Sequence, residues 1–337
     1  MRAFVVTAPG ESSVLDVDPP VAGAGQVVVD VHRAGICGTD VEFFTGEMAY
    51  LHQGHASFPL RLGHEWMGVV STVGAGVESG WLGRRVTGDT MLGCGTCRLC
   101  LCGRQYVCHE RFEIGVRGNW PGALAEQLLV PVTALHALPD SVDDVAGAMV
   151  EPGGNAMRAV QAAAAAPGSR VLIYGPGTIG LLAALIAESD GLDVHLAGRS
   201  DSSLEFARSI GLHQAWRLDE VPDLPYDAII DCTFGAGIPA QAVSLVQPGG
   251  RVVLIGLSGV PSLIDTRDLV LRDLTAVGIL SGSPGLSPTI DHYADGRVDP
   301  RPLVAGTVGL SDVGAALAGE RVPGLGAGPK IHIDPRL

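Results

Sequence analysis

The chain reads as an α/β protein in two parts, a β-rich domain and a doubly wound parallel sheet. Three observations predict this. Residues 1–150 form short apolar runs broken by glycine and proline, whereas from Glu151 onward strand-like and helix-like runs alternate. The first strand of that second region leads straight into Gly175-Pro-Gly177-Thr178-Ile179-Gly180. A length of 337 residues accommodates two domains, because single cores rarely grow beyond about 250–300 residues.

In the first region RAFVVTA, QVVVDVHRAG, GVVSTVG and RRVTGD read as strands, with turns at PPVAGAG and GAGVESG. Short strands with such turns suggest a compact, barrel-like β domain over 1–150. Beyond Glu151-Pro152 the pattern predicts a helix over 155–165, a strand over 170–174 and an apolar helix to about 189. A strand over 193–198, a helix over 201–210 and the strands YDAIIDC, RVVLIGL and LTAVGIL follow. Strands alternating with helices at this spacing signal parallel βαβ units. This second domain is expected to span 151–285, and the irregular tail 286–337 to return to the first.

Composition excludes several classes. A net charge of −14 without any basic cluster argues against nucleic acid as a partner. The N-terminal residues lack the apolar run of a signal peptide, and no stretch reaches the ~18–20 apolar residues that span a bilayer. A soluble, cytoplasmic protein is expected, in which seven cysteines serve as ligands or packed thiols rather than disulfides. Lys330 is the only lysine. Nothing in the sequence brings it to a site, so Schiff-base chemistry and a phosphate-binding lysine are not expected.

Two sets of metal-type residues stand out. Cys94-x2-Cys97-x2-Cys100-x7-Cys108 lets one short loop fold four thiolates around a tetrahedral zinc with no open position, a structural site. Cys37 in GICGTD, His64-Glu65 in GHEW and Glu151 in VEP form a mixed set. A catalytic zinc keeps three protein ligands and leaves a fourth position open. Cys37 and His64 supply two, and Glu65 and Glu151 compete for the third.

The glycine run marks a dinucleotide site. Gly175 makes the tight turn, Gly177 lets backbone approach a pyrophosphate, and Gly180 permits close helix–strand packing. The helix N-terminus at Thr178-Ile179 presents N–H groups to the phosphates. An acidic residue is expected ~20 positions on, where it binds the ribose hydroxyls. This chain has Gly198, Arg199 and Ser200 there, and Asp193 lies at the wrong end of its strand. A glycine leaves room for a 2′-phosphate and Arg199 can pair with it, so NADP is preferred, with NAD the alternative.

Taken together, G-I-Cys37-G-T-Asp40, G-His64-Glu65, the four-cysteine loop, Glu151-Pro and GPGTIG resemble the zinc-containing medium-chain dehydrogenases. The polyol and threonine dehydrogenase branch is most similar. The resemblance implies a GroES-like catalytic domain completed by the C-terminal tail, with a Rossmann domain between. It also implies a homodimer or homotetramer joined through the last Rossmann strands, around LTAVGIL. Carried over, Cys37, His64 and Glu151 match ligands of a catalytic zinc, and Glu65 matches an acid that ligates or sits just behind it. Asp40 matches the acid that orients the histidine, and Thr39 the hydroxyl that takes the substrate's proton. Many relatives place a histidine where this chain has Glu42, which either carries the proton outward or leaves the relay to another route. The family's spacing selects Cys100 over Cys102 as a structural ligand.

These readings converge on hydride transfer between a nicotinamide cofactor and a secondary alcohol or its ketone, the alcohol being a polyol, sugar or amino alcohol. Glu47, Tyr50, His52 and His55, on a long segment before GHE, are candidates for the substrate rim, and Trp66 and Trp120 for its apolar lining. Two rival readings remain. One is a reductase of C=C or C=N bonds; the other is a zinc-stabilised nucleotide-binding protein without turnover.

Overall fold

The computed structural model describes residues 1–337 and divides into two compact units. One comprises Met1–Glu151 with Leu303–Leu337, the other Pro152–Pro302. The chain thus returns to the first unit at Leu303 rather than at 286. The cause is local packing. The helix Leu286–Ala294 lies against Gly153 and Gly154, where an added Cβ would come within 2.6 Å of Thr289 and 2.8 Å of Leu286.

The first unit is built on a seven-stranded sheet. In order across it run Val304–Val308, Lys330–Ile333, Gln26–Gly35, Glu65–Val73, Arg85–Gly88 and Leu135–Ala137, with Gln127–Pro131 also paired to Gln26–Gly35. Gln26–Gly35 is rich in valine, which suits a pleated, half-buried surface. Its register with Glu65–Val73 shifts twice, between Val28 and Val29 and between Val31 and Arg33. Such bulges increase twist and bend a strand toward closure. One core gathers Phe4, Val29, Phe43, Leu62, Trp66, Leu124 and Leu128. Trp66 is fully buried there, and Trp120 packs against the same core while its indole N–H donates to the Leu129 carbonyl at 3.1 Å. Trp66 is therefore a core residue, while Trp120 is only partly buried.

The second unit has six parallel strands in the order Ala215–Arg217, Asp193–Gly198, Arg170–Tyr174, Tyr226–Asp231, Val246–Leu254 and Thr275–Gly278. In chain order this is 3-2-1-4-5-6, the doubly wound arrangement that binds dinucleotides where the order reverses. Its leading helix begins earlier than the sequence suggests: it covers Val150–Ala163, so Glu151 sits in the first turn. Pro152 is tolerated there because first-turn N–H groups lack helical partners anyway. No helix is long and apolar enough to cross a membrane.

Candidate active site

The four-cysteine loop closes on itself. Cys94, Cys97, Cys100 and Cys108 bring their sulfurs within 4.8 Å of one another, with separations of 3.9 Å for Cys94–Cys100, 3.6 Å for Cys97–Cys100 and 3.7 Å for Cys97–Cys108. Zinc–sulfur bonds of ~2.3 Å in a tetrahedron require sulfur separations of ~3.8 Å, so the donor set fits zinc. The backbone N–H of Thr96, its hydroxyl and the Cys97 N–H surround the Cys94 sulfur and draw its pKa down to about 6, favouring the thiolate a metal needs. Cys102 points elsewhere, with its sulfur 3.3 Å from the Leu99 carbonyl.

The mixed set assembles around Asp40. The helix Gly38–Thr45 starts at Cys37, and the Cys37 N–H donates to Asp40 Oδ2 at 2.9 Å. The other oxygen, Oδ1, accepts the Gly63 N–H at 3.2 Å and lies 3.6 Å from His64 Nδ1. Asp40 is fully buried. One carboxylate therefore fixes the backbone at Cys37 and beside His64, and faces the His64 ring. Cys37 and His64 bring their ligand atoms within 4.8 Å of each other. Burial disfavours charge on His64, but the Asp40 carboxylate and then Cys37 outweigh it and raise the pKa well above the ordinary value. Metal binding here displaces a proton.

Glu65 joins Cys37 and His64. Ligand atoms of these three residues lie within 4.8 Å of one another, and a thiolate, an imidazole and a carboxylate make a donor set that suits zinc. Glu151 is buried at the start of its helix. The third position thus falls to Glu65, clustered with Cys37 and His64, or to Glu151 at the start of its helix.

Here the structure overturns one sequence expectation. Lys330 does reach the site. Its ammonium donates to both Glu65 oxygens, at 2.7 and 2.6 Å, and to the Ile36 carbonyl at 2.8 Å. The reason is topological: the strand Lys330–Ile333 pairs with Gln26–Gly35, which runs directly into Cys37. Burial disfavours charge on Lys330, yet Glu65 and Cys37 more than compensate, and its pKa is raised. A lysine held protonated is no nucleophile, so Schiff-base chemistry stays excluded on new grounds. Gly35 makes room for this arrangement, since a Cβ there would stand 2.1 Å from Glu65 Oε2.

Thr39 and Glu42 both lie on Gly38–Thr45, three residues apart and so on one helical face. Burial, and then the charge of Glu47, raises the pKa of Glu42. Among the rim candidates, Tyr50 is half-buried with His55 packed edge-on against its ring, His52 contacts the Gly46 carbonyl, and Glu47 is exposed.

The glycine run that the sequence marks as a dinucleotide site lies in the second unit. Gly175 has φ +99°, a left-handed conformation that favours glycine, and Gly177 caps the helix Thr178–Ser189. A Cβ on Gly180 would lie 1.9 Å from the Gly175 carbonyl oxygen, so only glycine fits. These features leave backbone N–H groups of Thr178 and Ile179 at a helix start, where a pyrophosphate is favoured. Gly198 is needed for packing as well, because its Cβ would meet Pro176 at 2.6 Å. Arg199 is exposed and forms no ion pair, while Ser200 caps the helix Asp201–Ser209 by accepting from the Ser203 N–H. Gly198 is registered with Arg217, whose guanidinium is bound to Asp201 at 2.7 Å.

Known proteins resemble this chain in sequence and fold. Residues 23–140 match the alcohol dehydrogenase GroES-like domain, and residues 178–294 match the zinc-binding dehydrogenase domain. L-threonine 3-dehydrogenase of Saccharopolyspora erythraea is 34% identical over 87% of this chain and 92% of its own. Among solved structures, the RspB alcohol dehydrogenase of Escherichia coli CFT073, complexed with NADH, has a TM-score of 0.90 at 28% identity and covers 99% of each chain. A zinc-binding dehydrogenase of Sinorhizobium meliloti 1021, bound to NADP, has a TM-score of 0.87 at 28% identity, again over 99% of each.

Proposed function

The chain belongs to the zinc-containing medium-chain dehydrogenase family, a nicotinamide-dependent enzyme family, and from that premise we propose that it interconverts a secondary alcohol and its ketone with NADP as the preferred cofactor. The observation that carries this reading is the buried convergence of Cys37, His64 and Glu65 around Asp40. In this reading the four-cysteine loop holds a second, structural zinc.

When bound, a zinc at Cys37, His64 and a carboxylate supplies Lewis acidity toward the substrate oxygen, and the nicotinamide takes or gives the hydride. The chain's own residues do the rest. Asp40 fixes the Cys37 and Gly63 backbone and orients His64. Lys330 neutralises Glu65 and holds it in place. The Thr39 hydroxyl accepts the alcohol proton, and Glu42, one helical turn on, passes it outward; its raised pKa brings the carboxyl nearer to protonation at working pH. Gly175, Gly177, Thr178, Ile179 and Gly180 cradle the pyrophosphate, and unpaired Arg199 receives the 2′-phosphate beside Gly198. Ser200, occupied as a helix cap, contributes its position more than its hydroxyl.

Initial rates on zinc-loaded protein, with secondary alcohols, polyols and amino alcohols and each cofactor in turn, test the reading. Turnover confined to NADP supports it. Turnover with NAD alone removes the role given to Arg199 and leaves the rest.

A second copy of this chain is the proposed partner. Thr275–Gly278 is the unpaired edge of its sheet, and Leu257, Leu263, Val270 and Leu271 around it are each more than three-quarters exposed. Sedimentation of Ala276→Lys tests this; a dimer or tetramer that is unaffected by the charge argues against the edge as its contact.

A further inference from the structure

We infer that Tyr50, Arg111 and Glu113 form a specificity wall beside the metal cluster, and that Glu113 accepts a second hydroxyl of a polyhydroxylated substrate. The inference deepens the proposed function and rests on it for the identity of the reacting alcohol.

Glu113 is only 4% exposed. One of its oxygens, Oε1, accepts from Arg111 Nε at 2.7 Å and from the Tyr50 hydroxyl at 3.2 Å. Arg111 also donates to the Tyr50 oxygen at 3.2 Å and to the Cys108 carbonyl at 3.2 Å. Each guanidinium nitrogen is thus engaged, one of them on a carbonyl of the four-cysteine loop. The other Glu113 oxygen, Oε2, has no protein partner and is not sealed from solvent. An otherwise buried carboxylate with one tethered and one open oxygen is an oriented acceptor. Arg111 neutralises the charge, which favours a neutral hydroxyl as the donor over a cation.

Position links this acceptor to the chemistry. The Ile114 N–H donates to the Thr90 carbonyl at 3.0 Å, and the Thr90 hydroxyl donates to the His64 carbonyl at 3.1 Å. Gly115 packs so closely on Gly63 that a Cβ would stand 2.7 Å from the Gly63 carbonyl oxygen. Residues adjoining Glu113 in sequence are therefore packed directly against the segment that carries His64. A rigid acceptor placed there discriminates strongly, because an analogue lacking the hydroxyl leaves the polar group unpaired.

The test compares zinc-loaded wild type with Glu113→Gln and Tyr50→Phe, using butane-2,3-diol and butan-2-ol as substrates and xylitol as a binding probe. Both variants are expected to lower the diol-to-alcohol ratio of kcat/KM about 10- to 100-fold, through KM rather than kcat. Saturation-transfer NMR with the nicotinamide present is expected to show xylitol binding to wild type weakened by a similar factor in either variant. Equal losses on both substrates, or xylitol binding that is absent from wild type or unchanged in both variants, overturns the inference. If no alcohol turns over but xylitol binds and the variants weaken it, the proposed reaction fails while the hydroxyl-accepting wall stands.

Discussion

The two metal-type clusters of the first unit are built in opposite ways. Four cysteines within one loop of fifteen positions, Cys94 to Cys108, form the first, with Cys94 exposed and Cys108 buried. The second draws on Cys37, on His64 and Glu65, and on Lys330 from the far end of the chain, and apart from half-buried Cys37 these side chains are nearly inaccessible. A local, four-thiolate site closes by spacing alone and suits a structural role. A buried site assembled across the sheet exists only once the domain has folded, and its mixed donors are held by Asp40 and Lys330 rather than by loop geometry.

Breaking the local cluster is expected to have the largest effect on stability. Zinc in such sites contributes folding free energy directly. Cys97→Ser should therefore lower Tm by about 10–20 °C or more, taking a loss of ~5 kcal/mol or more at ~2–4 °C per kcal/mol for a domain of this size. Calorimetry with and without a chelator checks it; equal Tm values for chelated and zinc-loaded wild type would remove the structural role.

Lys330→Met attacks the nonlocal cluster from behind. Removing one partner of a buried ion pair typically costs ~3–5 kcal/mol, because the other charge stays uncompensated. Adding Glu65→Gln to Lys330→Met should recover most of that loss. A single variant as stable as wild type in denaturant unfolding would show that the pair does not hold the site. Asp40→Asn keeps the shape and removes the charge facing His64, so metal affinity or activity should fall ~10–100-fold, as read by competition with a chromophoric chelator.

The smallest effect is a pH dependence near the same strands. His332 is fully buried and its ring nitrogens have no partners. Burial, then the charges of Lys330 and Arg33, push its pKa down to about 3. Unfolded, it titrates near ~6.5. Between those values the unfolded chain binds the extra proton, so stability present above pH ~6.5 is lost as pH falls toward 3, at up to ~1.4 kcal/mol per unit. The loss amounts to about 2 kcal/mol by pH 5. His332→Leu should flatten the Tm profile between pH 6.5 and 5; an unchanged slope would place the acid sensitivity elsewhere.

The same contrast explains what the sequence disclosed. The four-cysteine spacing and the glycine turn are local, and each is visible as a string of letters. Cys37, His64 and Glu65 were recognisable as chemistry-bearing types, although spacing could not choose between Glu65 and Glu151. Lys330 was not legible, because its place depends on a strand pairing across some three hundred residues. Arg111 and Glu113 were missed for a related reason: neither carries a motif, and only the hairpin that bridges Thr90 to His64 gives them a site. A signal did exist in the single lysine of an acidic chain, since one retained ammonium invites the question of what it neutralises.

The most direct test of the account measures zinc content and initial rate together in Cys37→Ser. The expected result is one zinc per chain in place of two, a Tm lowered by less than in Cys97→Ser, and a rate lower by on the order of 10³-fold, the equivalent of ~4 kcal/mol of lost Lewis-acid stabilisation. Two zincs with full activity would contradict it, and would move the chemistry away from the cluster around Asp40.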